Sequence, residues 1–195
     1  MSEILANKIT PVTGTTVTLG DSGDTFTIPS GVNITNSGTA TGFGGGKVVQ
    51  VVNVMNSTGA TGTTVLPADN TIPQISEGNE VMTLAVTPTS SSNKLLISVV
   101  VNSSHSTTST NLGAALFQDS TSNALAYGWS WSATGTTGTP IIFNYYMTAG
   151  TTSATTFKVR GGTSGGGTYS FNASAGVRVA GGVMASSITI TEISA

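Results

Sequence analysis

The sequence contains no cysteine. Disulfides and thiolate metal sites are therefore excluded, and a robust extracellular chain of this kind needs another source of stability, such as oligomerisation. Charge is also scarce: 7% of the residues are Asp, Glu, Lys or Arg, against roughly a quarter in an average soluble protein. The basic residues, Lys8, Lys47, Lys94, Lys158, Arg160 and Arg178, are scattered. No basic stripe exists to neutralise phosphates, which argues against nucleic acid as a partner. There is one histidine, His105, so a Ser/His/Asp arrangement would have to use it, and no G-x-S-x-G elbow precedes a helix. Long apolar runs are missing too. Leu95–Val101 is interrupted by Ser98 and falls far short of the roughly 20 residues of a membrane helix, so no membrane insertion is expected. The opening "MSEILANKITPV" lacks the basic start and apolar stretch of a secretory signal. The expectation is a soluble protein made in a cytoplasm and carried outside by something else, as on a virion released by lysis.

What fills the chain instead is Thr (35), Ser (25) and Gly (25), together 85 of 195 residues. Hydrophobic content is still 37%, so a packed core is affordable, but the polar surface must be built from hydroxyls and amides. Thr suits strands, and Ser and Gly suit turns. This balance is common in secreted, surface-layer and virion proteins and unusual in a cytoplasmic enzyme.

The chain divides at "TGFGGGK" (residues 41–47), where three consecutive glycines have too much backbone freedom for an element interior. Before it lie three apolar-polar-apolar triplets, Val17-Thr18-Leu19, Phe26-Thr27-Ile28 and Val32-Asn33-Ile34, separated by turn residues. A two-residue apolar face buries too little area, at about 25 cal/mol per Å², to offset an ordering entropy of about 1–2 kcal/mol per residue. Several copies wound about one axis solve the problem: Val17, Leu19, Phe26, Ile28, Val32 and Ile34 from three chains would fill one narrow core. Residues 47–195 read as all-β. Strands are expected at 47–55, 71–76, 80–87, 94–102, 114–119, 124–131, 141–147, 155–160, 168–171 and 187–193, with turn clusters between them. "KLLISVVV" and "PIIFNYYM" are near-continuous apolar runs of the kind found in strands covered on both faces. Strands at this spacing indicate a sandwich or jelly roll. The predicted fold class is thus all-β: an N-terminal intertwined β stem (1–46) followed by a jelly-roll-like sandwich head (47–195), homotrimeric.

Catalytic constellations are thin. Asp21 with Asp24, and Glu77 with Glu80, sit in turns, where acidic residues favour the backbone geometry; two facing carboxylates in a cleft, as glycoside hydrolysis requires, are not evident. Two oxygens from Asp21 and Asp24 fall short of calcium's six to eight, and His105 alone is no zinc site. No catalytic residue, metal or cofactor is expected. Tyr127, Trp129 and Trp131 share one face of a strand. Covered, they are core; exposed, they form an aromatic shelf of the kind that meets sugar rings or a partner surface. His105, within a polar stretch 103–111 read as a distal loop, and Tyr169, just after three glycines, join Trp129 and Trp131 as candidate receptor-binding residues. Tyr145 and Tyr146 point to opposite faces, which places one of them outward or at a subunit contact.

The stretch 1–53, together with "EVMTLAVTPTSSSNKLLISVVV", "AALFQDSTSNALA", "YYMTAGTTSATTFKVRGG" and "GGVMASSITITEI", resembles short fibre proteins of bacteriophages, marine and cyanobacterial phages in particular. The likeness spans nearly the whole chain, and its motifs are structural. It implies a homotrimer attached to other virion proteins through its N-terminal region, with a jelly-roll head that recognises a host-surface glycan or envelope component. Similar trimers also decorate capsids, so a capsid decoration or head-fibre protein is the alternative. A secreted carbohydrate-binding module or depolymerase is a third reading; the absent signal and the absent acid pair argue against it.

Overall fold

The computed structural model describes residues 9, 11–18, 20–32, 35, 37, 47–107, 109–134 and 136–195. The chain forms two compact units, Met1–Phe43 and Gly44–Ala195. Among the described residues of the first unit there is no strand. Its turns are those the sequence marks. Asp24 N–H donates to Asp21 O at 3.1 Å, while the Asp24 carboxylate accepts from Asp21 N–H at 2.8 Å. Val32 N–H donates to Pro29 O at 3.2 Å. In both turns the third position is a glycine with positive φ, Gly23 at 99° and Gly31 at 86°, a conformation that excludes most side chains. Asp21 and Asp24 thus serve the backbone. Phe26 is 69% exposed, Val17 and Val32 are exposed and Ile28 is half-buried, so the first unit does not itself cover them. Leu19 and Ile34 lie outside the described residues, as does the glycine junction.

Among its described residues the second unit holds twelve strands: β1 (Val48–Asn56), β2 (Ala60–Gly62), β3 (Asn79–Val86), β4 (Lys94–His105), β5 (Thr110–Gln118), β6 (Ala126–Ser132), β7 (Thr139–Thr148), β8 (Thr155–Thr163), β9 (Tyr169–Phe171), β10 (Ala173–Ser174), β11 (Val177–Arg178) and β12 (Ser186–Ile193). Eight of them make two antiparallel sheets, β1-β12-β4-β7 and β3-β8-β5-β6. The chain passes repeatedly from one sheet to the other, which is jelly-roll wiring. β9 and β2 extend the first sheet along the far end of β4. Alternation delivers the core. Leu95, Ile97, Val99 and Val101 of β4 and Ile188 and Ile190 of β12 face Leu112, Ala114 and Leu116 of β5 and Phe157 and Val159 of β8. Lys158 and Arg160, at the intervening positions, turn outward and pair with Glu80 at 3.8 and 3.6 Å. No helix among the described residues is long and apolar enough to cross a membrane.

Three sequence expectations are corrected. Residues 71–76 are not a strand; they make one bridge, Gln74 to Asn123. Pro73 has no N–H for a ladder, and the segment instead belongs to a long loop, 63–78, laid over the outer face of β5 and β6. Leu66 and Ile75 there cover Ala115, Phe117 and Tyr127 in a second apolar cluster. Next, neither "KLLISVVV" nor "PIIFNYYM" is covered on both faces: Leu96 and Val100 of the first are only half-buried on the outer face. Tyr145 packs on the core, whereas Tyr146 is exposed and Ile142 is 66% exposed. Register aligns Met55, Ser187, Val100 and Ile142 in one row and Val51, Thr191, Leu96 and Tyr146 in another. Between them runs a polar row, Asn53, Thr189, Ser98 and Asn144, so the outer face of β1-β12-β4-β7 alternates apolar and polar rows, with Met55 72% exposed and Lys94, hydrogen-bonded to Thr148 Oγ1 at 2.7 Å, supplying charge. Finally, the polar stretch 103–111 is mostly sheet: Ser103, Ser104 and His105 continue β4 and pair with Phe171, Ser170 and Tyr169 of β9.

Candidate functional site

That last pairing removes two of the four receptor-binding candidates. His105 and Tyr169 are fully buried. The backbone of β4 runs on past its apolar run because Ser and His side chains are tolerated where β9 covers them. His105 Nδ1 accepts from Thr107 N–H at 3.1 Å and lies 2.8 Å from the Thr107 hydroxyl, while Nε2 makes no well-formed hydrogen bond among the described residues. Burial pushes the imidazole pKa below its ordinary value, a backbone contact at Ser132 opposing this in part. Burial likewise pushes the Tyr169 phenol up. The His105 shift has a sign that can be checked. An unfolded chain takes up the proton near pH 6.5, the folded one only at lower pH, so stability is full above that value and declines as pH falls below it. The urea midpoint should be lower at pH 5.5 than at pH 8, and His105→Gln should flatten this part of the profile. An unchanged slope in that variant would assign the effect elsewhere.

Trp129 and Trp131 have the opposite fate. They are 59% and 58% exposed, so the shelf arrangement holds and the core arrangement does not. β6 is the edge of its sheet. Its inward positions are small because β7 comes close: a Cβ on Gly128 would lie 2.7 Å from the Phe143 ring and 3.0 Å from Ile141. The large side chains are therefore sent outward. Across the ladder, Trp131 faces Asn111, Trp129 faces Gly113 and Tyr127 faces Ala115. The Tyr127 ring leans over Gly113, where a Cβ, if present, would clash with the phenol oxygen.

These residues open onto a hollow of about 270 Å³ lined by Ala68, Asp69, Asn111, Tyr127 and Trp129. Asp69 enters from the covering loop. Its Oδ1 accepts from the Thr71 amide at 2.8 Å and the Thr71 hydroxyl at 2.6 Å; hydroxyl first, then amide, they hold this carboxyl below its ordinary range. Its other oxygen has no hydrogen bond among the described residues. Tyr127 is pushed up by burial and further by the Asp69 charge. Asn111 Oδ1 and the Tyr127 hydroxyl are shielded from water and lack partners among the described residues, which is unusual for buried polar atoms. One indole, that of Trp129, an ionised carboxylate, an amide side chain and a tyrosine ring thus line one hollow, with Trp131 further along the same strand face.

Elsewhere the chemistry is already spent. A hollow of about 330 Å³ between β1 and β3 is lined by Val54, Met55, Asn56 and residues 80–83, but Glu80 is engaged by Lys158 and Arg160. Glu77 accepts from Gln74 N–H at 2.8 Å within its own turn. Among the described residues no three His, Asp or Glu side chains gather as metal ligands would. Sequence reasoning singled out the two tryptophans and Tyr127 but not Asp69. The only local signal was Asp69-Asn70-Thr71 as a side-chain-to-backbone turn; nothing in the linear sequence carries it to Trp129.

No protein-family model matches the sequence, and no curated protein matches it significantly. Among solved structures, Eiger TNF from S. frugiperda is similar over 73% of this chain and 92% of its own, with a TM-score of 0.43 and 11% identity. A chain of infectious bursal disease virus Gx strain is similar over 85% of this chain, TM-score 0.38 and 11% identity. One from the VP2 subviral particle of that virus is similar over 75%, TM-score 0.33 and 12% identity. This chain spans 42% and 37% of those two viral chains. At this level of likeness they assign neither an activity nor a partner.

Proposed function

We propose that this chain is a non-enzymatic structural protein of a bacteriophage particle, a short tail fibre. Its N-terminal region attaches to other virion proteins, its triplets form a trimeric stem, and its sandwich presents a surface to host glycan or envelope. The sequence resemblance and the hydroxyl-rich composition favour this reading. The observation that carries it is the pair of exposed tryptophans on the edge strand of a rigid sandwich: large apolar side chains are held outward by backbone geometry, where a soluble chain without a partner gains nothing from them. The uncovered row of Met55, Val100 and Ile142, with that of Val51, Leu96 and Tyr146 beyond one polar row, offers the heads a surface for contact with further copies.

Gold-labelled antibody against the purified chain, applied to virions, tests the assignment. Gold at the tail supports a fibre. Gold over the capsid assigns the decoration role instead, and particles without label overturn a virion role altogether.

A further inference from the structure

Resting on the reading of the head as a host-surface binder, we infer that the hollow bounded by Trp129, Tyr127, Asn111 and Asp69 is a saccharide site selective for neutral pyranose rings over acidic ones. Indole faces stack on the C–H face of a sugar and discriminate little among sugars. Selection must come from the polar rim. Asp69 keeps one oxygen on Thr71 and has the other to accept from a sugar hydroxyl. Asn111 also lines the hollow, and its side-chain NH2, which makes no protein hydrogen bond among the described residues, is a donor, while its Oδ1 is shielded. Sugar hydroxyls, each both donor and acceptor, match such an acceptor–donor pair.

The charge pattern decides the class. No cation lines the hollow. Arg160, the basic residue opposite Ala115 in the neighbouring ladder, is committed to Glu77 O at 2.7 Å and Gly78 O at 2.8 Å. A uronic or sialic carboxylate would meet the Asp69 charge with nothing to neutralise either, and like charges at close range are unfavourable. A neutral ring lets the same carboxylate accept hydrogen bonds. A protein partner is the less favoured occupant, because the rim presents unpartnered polar groups where a protein contact would bury apolar atoms.

The chain has two tryptophans, both on this strand face, and Trp129 lines the hollow, so emission excited selectively at tryptophan reports on this face. The full-length protein is titrated with β-glucan, mannan and galactan, and with polyglucuronate, polymannuronate and polygalacturonate as matched acidic polymers. At least one neutral polymer should shift the emission, and its uronate counterpart should not. Asp69→Asn should weaken neutral binding about tenfold, the loss of one charge-assisted hydrogen bond, and narrow the gap between the pair. Trp129→Ala should abolish binding while far-ultraviolet dichroism and the melting temperature stay unchanged. Equal or preferential binding of a uronate would overturn the selectivity, and no response to any of the six would overturn the saccharide site. Neither result would touch the location of the protein on particles, which the gold label decides separately.

Discussion

Phe26→Asp is expected to convert the trimer proposed here into single chains while leaving the head folded. Phe26 is 69% exposed, so its replacement removes little packing within its own unit. In a three-chain stem the same side chain would lie against its two copies. Three aspartates would then share one axis, and bringing a charge out of water costs several kcal/mol per ion even after relaxation. That exceeds what a few apolar contacts return at about 25 cal/mol per Å². Chemical cross-linking should give a three-chain band for the wild type and a one-chain band for the variant, with the same melting temperature for the head. A variant that still cross-links to three chains would show that the triplets do not form the shared core.

The second large effect is expected at Glu192. This carboxylate points into the sandwich at the end of β12 and is fully buried. It accepts from Thr89 N–H and Thr89 Oγ1, both at 2.8 Å, from Asn93 Nδ2 at 2.6 Å, and from Gln50 Nε2. Burial raises its pKa, but those donors together outweigh burial and hold it at about 2. One side chain thereby ties β1, the β3–β4 loop and β12 together. In Glu192→Gln an NH2 group replaces one acceptor oxygen and faces donors. Leaving buried donors unsatisfied costs about 1–3 kcal/mol each, so a loss on the order of 3 kcal/mol and roughly 10 °C in melting temperature is expected. The pH dependence has a fixed sign. The unfolded carboxyl takes a proton near its ordinary pKa of 4.5 and the folded one only near 2. Stability from this group is present above about 4.5 and is lost as pH falls toward 2. Acid titration of the wild type should show this loss, and the variant should lack it.

The strands were legible where one physical rule sufficed. Alternation placed Phe157 and Val159 inward and Lys158 and Arg160 outward, and the long apolar run of β4 became the centre of its sheet. The rule failed where burial came from a distant segment. Ser103, Ser104 and His105 read as loop because they are polar, but β9, more than sixty residues later, pairs with them. Residues 71–76 read as a strand because Ile72 and Ile75 are apolar, yet Pro73 breaks the ladder and Ile75 is used to roof β5 and β6. The site divides along the same line. Trp129 and Trp131 shared a face by period alone, but which face was covered depended on how closely β7 approaches Gly128. Asp69 and Asn111 reach the tryptophans only through the loop and the ladder, neither of which is encoded locally.

The trimer is the claim on which the stem, the virion role and the use of the uncovered sheet face all depend. Light scattering of the full-length protein measures it directly. A solution mass of three times the 19.5 kDa chain is expected; a mass of one chain at the same concentration would contradict it and leave the exposed triplets without a shared core.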